Sequence, residues 1–492
     1  MKRLAMNPYL PEGEYIPDGE PRVFGGRVYV YGSHDKCGSM RYCPGDYVVW
    51  SAPVEDLSDW SNRGVSYRRR GKHNPLGFRC MWAPDCVKGP DGRFYLYYCF
   101  DFNNRISVAV SDRPDGPFRF YGDVRYPDGV LYGSGPDDIM CFDPAAFVDD
   151  DGQVFIYSGY SANEDLKKML NGRGIRNVDG TGSQVIRLEK DMRTVQGQPR
   201  MLIPGYKNSA GTGFEGHEFY EASSLRKIGG KYYFIYSSRL SHELAYAVSD
   251  RPDGGFRYGG AIISNGDIGY QGRKEQDALN YWGNVHGSIE RINGQWYVFY
   301  HRQTNKNEQS RQGCAEPIAI DGDGRIAMVE MTSQGLNGQP LPGEGSYPAS
   351  IACNLRSRQG AVKCAYGPFS RHKYAAHPCI TEYARGKQCI RNLRDGAMAG
   401  FKYFDFQGPT RLTVTARGDG GRLVISTAPE GDPVGEIPLT AGGAWHEAAA
   451  DIPLPTGKAP LYFTYRGEGK SDLLSFHLTP IHIDINRHRR VI

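Results

Sequence analysis

The chain has 492 residues, 63 of them glycine, with 12% aromatics, 23% charged residues and a net charge of +4. Disordered chains lack aromatics and carry one-sided charge, and long-helix proteins are poor in glycine, so both classes are excluded. The near balance of charge gives no nucleic-acid signal, and no run of 18 apolar residues offers a membrane helix.

What remains is a chain of tight turns and aromatic strands, an all-β composition long enough for two to four domains. The start, Met1-Lys2-Arg3-Leu4-Ala5-Met6-Asn7-Pro8, is basic but has no apolar stretch after it. The expectation is a cytoplasmic protein without a signal peptide, although a chain whose leader had been removed would read alike. The basic cluster Arg68-Arg69-Arg70 reads as a solvated loop. Eleven scattered cysteines with no Cys-x-x-Cys spacing read as reduced thiols, Cys80 and Cys86 being the only tempting local pair.

A turn containing glycine followed by alternating aromatic and β-branched residues occurs five times. The copies begin at Gly25-Gly26, Asp91-Gly92, Asp151-Gly152, Gly229-Gly230 and Asn293-Gly294, and run into Val28–Tyr31, Phe94–Tyr98, Val154–Tyr157, Tyr232–Tyr236 and Trp296–Tyr300. Such turns accept positive φ, so each aromatic run is the second strand of a hairpin. A second echo, Ser111-Asp112-Arg113-Pro114-Asp115-Gly116 and Ser249-Asp250-Arg251-Pro252-Asp253-Gly254, follows apolar strands in two of the units. Five units at intervals of roughly 60–80 residues predict a five-bladed β-propeller, with a β-sandwich as the alternative. One helix is predicted, around Ser161 to Leu170, where Leu166, Met169 and Leu170 share a face.

Propeller blades converge on an axis, so the residues opening each hairpin meet in one pocket. Three blades deliver an acid there: Asp18, Asp143 and Glu221. The second blade offers Trp82 and Asp85, and the fifth offers His286. Gathered carboxylates repel, and burial raises the pKa of at least one, which suits a proton donor beside an acceptor. Paired acids are the machinery of glycoside hydrolysis, and a tryptophan beside them suits stacking on a sugar face. Each acid has a blander reading: Asp18 as a turn residue with Glu14 and Glu20 as rivals, Asp143 as a turn cap before Pro144, Glu221 beside Glu215 and Glu218.

Over residues 7–330 the sequence resembles family 43 glycoside hydrolases. The likeness rests on Asn7-Pro8, Pro17-Asp18-Gly19-Glu20-Pro21, Trp82-Ala83-Pro84-Asp85, Phe142-Asp143-Pro144, Tyr220-Glu221-Ala222-Ser223 and His286-Gly287-Ser288. The resemblance implies an inverting enzyme. Asp18 would be the general base, Glu221 the general acid, and Asp143 the carboxylate that tunes and orients the acid. It implies substrate contacts from Trp82, Phe142, Arg311, His34 and Asp35. It also implies a calcium ion in the axial channel near His286, not needed for the chemistry, with a structural histidine as the alternative. The expected reaction is exo-hydrolysis releasing a terminal sugar from small plant-type oligosaccharides. α-L-Arabinofuranose is the first choice, with β-xylose or β-D-galactofuranose as alternatives. A non-catalytic sugar-binding propeller is the rival class.

From residue 331 the chain turns rich in Gly and Pro, a linker signature. The expected division is a catalytic propeller over 1–330, a linker over 331–349 and a β-sandwich over 350–492. The sandwich follows from short strands such as Arg411–Thr415, Arg422–Ser426, Leu461–Tyr465 and Leu473–His477. Through Ala444-Trp445, Gly457, the Leu461 strand, Gly467 and the Leu474 strand, roughly residues 350–482 loosely resemble family 6-like carbohydrate-binding modules.

Overall fold

The structure, a computed structural model, describes residues 4–101, 103–135, 138–172, 180–364 and 375–481. The first two-thirds form a five-bladed propeller. Four blades are antiparallel four-stranded sheets in chain order: Glu20–Phe24 to Ser61–Tyr67, Asp85–Lys88 to Arg119–Asp123, Ala145–Val148 to Val195–Pro204, and Phe219–Ile228 to Arg257–Ser264. The fifth has three strands, Ser288–Ile292, Gln295–Thr304 and Asn307–Ile318. Each repeated aromatic run is a second strand, and the glycine that turns into it has φ between 75° and 86° in all five copies. A side chain there would strain the turn. The inner strands neighbour one another around a closed ring.

The segment before the first blade closes the ring. Tyr9 N–H donates to Gly313 O, and the Asn7 side chain pairs with both backbone groups of Ala315, at 2.9 and 3.0 Å. Asn7 thereby substitutes for the fourth strand that the fifth blade lacks. The Ser-Asp-Arg-Pro-Asp-Gly echo is a latch between blades. Tyr31 of blade one donates to Pro114 O of blade two (2.6 Å), and Tyr157 of blade three to Pro252 O of blade four (3.0 Å). The aspartate after each proline is gripped by an arginine of the preceding blade, Arg63 on Asp115 and Arg187 on Asp253. Buried tyrosines thus find partners for their hydroxyls while their rings fill the space between blades.

The predicted helix is present as Glu164–Gly172, inserted between the second and third strands of blade three. Leu170 is buried against Met140 and Ala162; the side chains of Leu166 and Met169 lie outside the described residues. All eleven cysteines are free.

The last third is one curled sheet of ten strands, which wraps into a sandwich-like half-barrel around Phe401, Phe404, Phe463 and Phe476. Arg411–Thr415 and Arg422–Ser426, expected as separate strands, are halves of the 17-residue strand Thr410–Ser426. Gly418, Gly420 and Gly421, at φ 141°, 83° and 96°, lie between the halves. The first half pairs with Lys470–Pro480 and the second with Thr456–Arg466. The glycines turn the corner that two-layer packing requires. The Gly- and Pro-rich stretch from 331 does not run free: Met331, Ser333, Leu336 and Tyr347 are buried, and Leu341–Pro342 and Gly345–Pro348 join the curled sheet. Buried polar contacts fasten sheet to propeller. Arg302 donates to Ser350 O and Ala352 O, and Lys402 Nζ lies 2.9 Å from Asp267 and 2.7 Å from Glu330.

Candidate active site

Asp18 and Asp143 stand two residues before the inner strands of blades one and three, with φ of 58° and 46°. Glu221 sits in a register break of the inner strand of blade four, followed by Ala222 at φ 69°. Left-handed backbone at non-glycine residues costs about 1–3 kcal/mol each and persists where the surroundings enforce it. Here it takes three acids out of the strand alternation, in three blades, at matching places. All three are buried, and each lies within electrostatic reach of the other two or of the cations they share, His286 and Arg311.

The three carboxyls are not equivalent. Burial pushes Asp18 up, but Arg311, His301 and His286 outweigh it and hold Asp18 well below the usual carboxylate range. Arg311 Nη1 lies 2.7 Å from Asp18 Oδ1. Asp18 N–H donates to His301 Nδ1 (3.2 Å), while His301 Nε2 meets Asn284 O (2.8 Å). His301 Nδ1 also lies 3.3 Å from Asp18 Oδ1, and burial lowers the pKa of His301. Glu221 is raised from 4.5 to about 8, first by burial and then by the charge of Asp143. Burial also raises Asp143, opposed by His286, whose Nδ1 lies 3.5 Å from Asp143 Oδ2. Burial alone would lower His286; the Asp143 carboxylate more than offsets this and raises it to about 9. At neutral pH the arrangement is an anionic Asp18, a protonated Glu221 and a cationic His286 within electrostatic reach of both.

The expected calcium is corrected by the structure. Among the described residues no group of three or more His, Cys, Asp or Glu side chains is arranged to hold a metal ion. His286 is instead the counter-cation of Asp143, and a metal would compete with the charge it carries. Further along the axis the space is taken by guanidinium groups: Arg226 on Glu20 (2.6 Å) and Arg22 on Asp85 (2.6 Å). Glu20 and Asp85, one a rival acid and the other the carboxylate of the second blade, belong to this axial network.

Trp82 and Phe142 meet edge to face at 4.6 Å, and Phe142 stacks on Tyr160 at 4.6 Å. Tyr160 in turn bonds Tyr220, the neighbour of Glu221, through their hydroxyls (3.0 Å). These four half-buried rings form one wall beside the acids, backed by Leu170 of the inserted helix. Arg311 is fully engaged: Nε and its own N–H reach Asp35 Oδ2 at 2.9 and 3.1 Å, Nη2 reaches Asp35 Oδ1, and the guanidinium lies over Tyr42 at 4.9 Å. Asp35 therefore stands behind Arg311 rather than facing open space. His34 bonds Asp46 O and lines a separate cleft of about 820 Å³ with Trp50 and Glu382.

Tyr42, Tyr160 and His301 were not among the residues picked out from the sequence, and Tyr220 was read only as part of the family likeness. His301 had a signal, a polar residue continuing a buried aromatic run one step past Tyr300. Tyr42 and Tyr160 lie on connections with no repeat to mark them.

The profile of glycosyl hydrolases family 43 matches residues 25–326. The chain belongs to glycosyl hydrolase family 43. A curated relative, a xylosidase/arabinosidase of Thermoclostridium stercorarium, is 46% identical over 486 residues, covering 97% of this chain and 99% of that protein. A solved family 43 β-xylosidase/α-arabinofuranosidase from a compost metagenome, in complex with xylotriose, matches at 26% identity and TM-score 0.50, over 65% of this chain and 97% of its own. A family 43 arabinoxylan arabinofuranohydrolase of Bacillus subtilis shares the fold, at 20% identity and TM-score 0.50, over 96% of this chain and 97% of its own. Asp18 lies just outside the matched stretch of the family profile, yet the fold returns it to the other two acids. No helix among the described residues is long and apolar enough to cross a membrane.

Proposed function

We propose that this family 43 hydrolase is an exo-acting glycosidase that removes a terminal α-L-arabinofuranosyl or β-D-xylosyl unit from oligosaccharides by inversion. The observation that carries the reading is the split among three neighbouring buried acids, one held ionised by Arg311 and one held protonated. Two carboxyls with opposed protonation states are what single-displacement hydrolysis requires. Asp18 accepts a proton from the attacking water as its oxygen bonds to the anomeric carbon. Glu221 gives its proton to the departing glycosidic oxygen as that bond breaks. Asp18 ends protonated and Glu221 ionised, and solvent restores both. Asp143 is a positioning residue: its charge, shared with His286, keeps Glu221 protonated. The aromatic wall of Trp82, Phe142 and Tyr160 supplies apolar faces for a sugar ring.

Support for arabinose and xylose comes from the relatives' activities; a galactofuranosyl substrate has no such support. A sugar-binding propeller without chemistry has no use for the opposed acids. For the C-terminal sheet we read a buttressing role, resting on the buried contacts of Arg302 and Lys402; a family 6-like module has only the loose run from Trp445 in its favour.

The test is a panel of nitrophenyl α-L-arabinofuranoside, β-D-xyloside and β-D-galactofuranoside, with proton NMR of the first product formed. The arabinoside or xyloside should turn over fastest, with inverted anomeric configuration. Retention at the anomeric carbon would overturn the mechanism, and preference for galactofuranoside the substrate.

The acid must carry its proton, so kcat/KM falls as pH rises through the Glu221 pKa, about 8 in the free enzyme. Asp143→Asn removes the charge that helps raise Glu221 and should move this alkaline limb to lower pH. A limb that stays put, or moves up, would show that Asp143 does not tune the acid.

A further inference from the structure

We propose that a cavity on the rim of blades one and two is a subsite for a sugar ring on the leaving-group side of the scissile bond, whose glycosidic oxygen Glu221 protonates. The proposal rests on the glycosidase reading and extends it.

Leu76 and Phe78 are the two most exposed large apolar side chains among the described residues, at 70% and 71%. Both line one cavity of about 420 Å³, together with Arg41, His73, Arg79 and Asp101. That size lies within the roughly 300–1,000 Å³ of ligand clefts. Exposed apolar side chains of this size, ringed by polar groups, mark a binding surface. The lining mixes an open aromatic face with planar hydrogen-bonding groups, a combination that suits a pyranose: C–H groups stack on a ring while hydroxyls pair with guanidinium and carboxylate.

Two chain segments tie this cavity to the active site. Arg41 precedes Tyr42, whose ring underlies the Arg311 guanidinium that holds Asp18. Phe78 is four residues before Trp82 on the same connection. The inner hairpin of blade two continues past Trp82 as a short ladder, Trp82 N–H to Cys99 O, Met81 against Phe100, and Asp101 N–H to Cys80 O. The cavity begins where this ladder ends, one step outward from the aromatic wall. It is also preformed. Arg41 Nη2 bonds both Phe78 O (2.8 Å) and Asp101 Oδ2 (3.0 Å). Asn74, buried, bonds Arg69 O, Arg79 O and Arg79 N–H. A chain of sugars whose terminal unit reaches the acids would pass the Trp82 wall and meet Phe78 next.

The experiment compares wild type with Phe78→Ala and Leu76→Ser on a nitrophenyl glycoside, which has no sugar on the leaving side, and on xylobiose, xylotriose and arabinose-substituted xylotriose. In the wild type kcat/KM should rise with the length of the leaving chain. In the variants that rise should shrink about three- to tenfold, the worth of one aromatic contact, while the nitrophenyl rate and the melting temperature stay unchanged. Equal losses on both substrate types, or no loss on the longer ones, would overturn the subsite. Should the wild type hydrolyse none of these, the glycosidase reading fails separately. Calorimetric titration with xylotriose then decides the subsite: weaker binding in Phe78→Ala supports it and equal binding overturns it. A change of mass in light scattering for Phe78→Ala, with unchanged oligosaccharide kinetics, would assign the patch to a second copy of the chain and also overturn it.

Discussion

Replacing Glu221 by Gln should cut kcat about 10²–10⁴-fold on glycosides with poor leaving groups and, at the same time, make the protein more stable. The loss should be far smaller on a dinitrophenyl glycoside, whose leaving oxygen needs no proton. The stability gain follows from the same burial that makes Glu221 an acid. Its folded-state value is about 8 against an ordinary 4.5, so the folded chain keeps a proton that the unfolded chain releases. Stability is therefore lost as pH rises from 4.5 towards 8, by about 3 kcal/mol at pH 7. Gln is neutral at every pH and escapes this loss. A melting temperature about 2–5 °C higher is expected at pH 7.5, with the difference vanishing near pH 4.5. Calorimetric scans at the two pH values and rates on both leaving groups check the pair of effects. Undiminished turnover of an unactivated glycoside by the variant would remove Glu221 from its role.

Arg311→Met should be the most damaging single change at the site. The guanidinium joins Asp18 to Asp35 with hydrogen bonds on Nη1, Nη2 and Nε, all buried. Without it two buried carboxylates lose their cation, and removing one partner of such a pair costs about 3–5 kcal/mol. Asp18, no longer held down, should rise in pKa, so the acidic limb of kcat/KM, where the base must be ionised, moves to higher pH. Arg311→Lys restores the charge but not the fork, since one ammonium cannot span both carboxylates in these directions. It should recover part of the stability and little of the rate. Denaturant unfolding and a pH–rate profile measure both. A Met variant within 1 kcal/mol of wild type, with an unmoved acidic limb, would show that Arg311 does not set the state of Asp18.

Much of the propeller was legible because its signals are local and repeated. A glycine with positive φ, followed by alternating aromatics, marks a hairpin wherever it occurs, and five copies in order leave few architectures. The same repetition singled out Asp18, Asp143 and Glu221, because matching places in successive blades meet at one axis. Even Asn7-Pro8, read only as part of a family likeness, has a physical role in closing the fifth blade. The single strand Thr410–Ser426 was harder. Its glycines look like a turn between two strands, and only the partners on either side show that the chain bends without reversing.

The amino-acid order thus determined the all-β class, the five units and the three acids, since each depends on spacing along the chain. Tertiary structure decided what those acids are. Whether a carboxyl is ionised depends on which distant side chains share its buried space, and no spacing reports that Arg311 reaches Asp18 across 293 positions. Likewise the spacing of His286 allowed a metal ligand or a structural histidine, and only its contact with Asp143 and the arginines along the axis assigned it the charge itself. Electrostatic energy in a low-dielectric interior is set by separations of a few ångströms, and those separations exist only once the ring has closed.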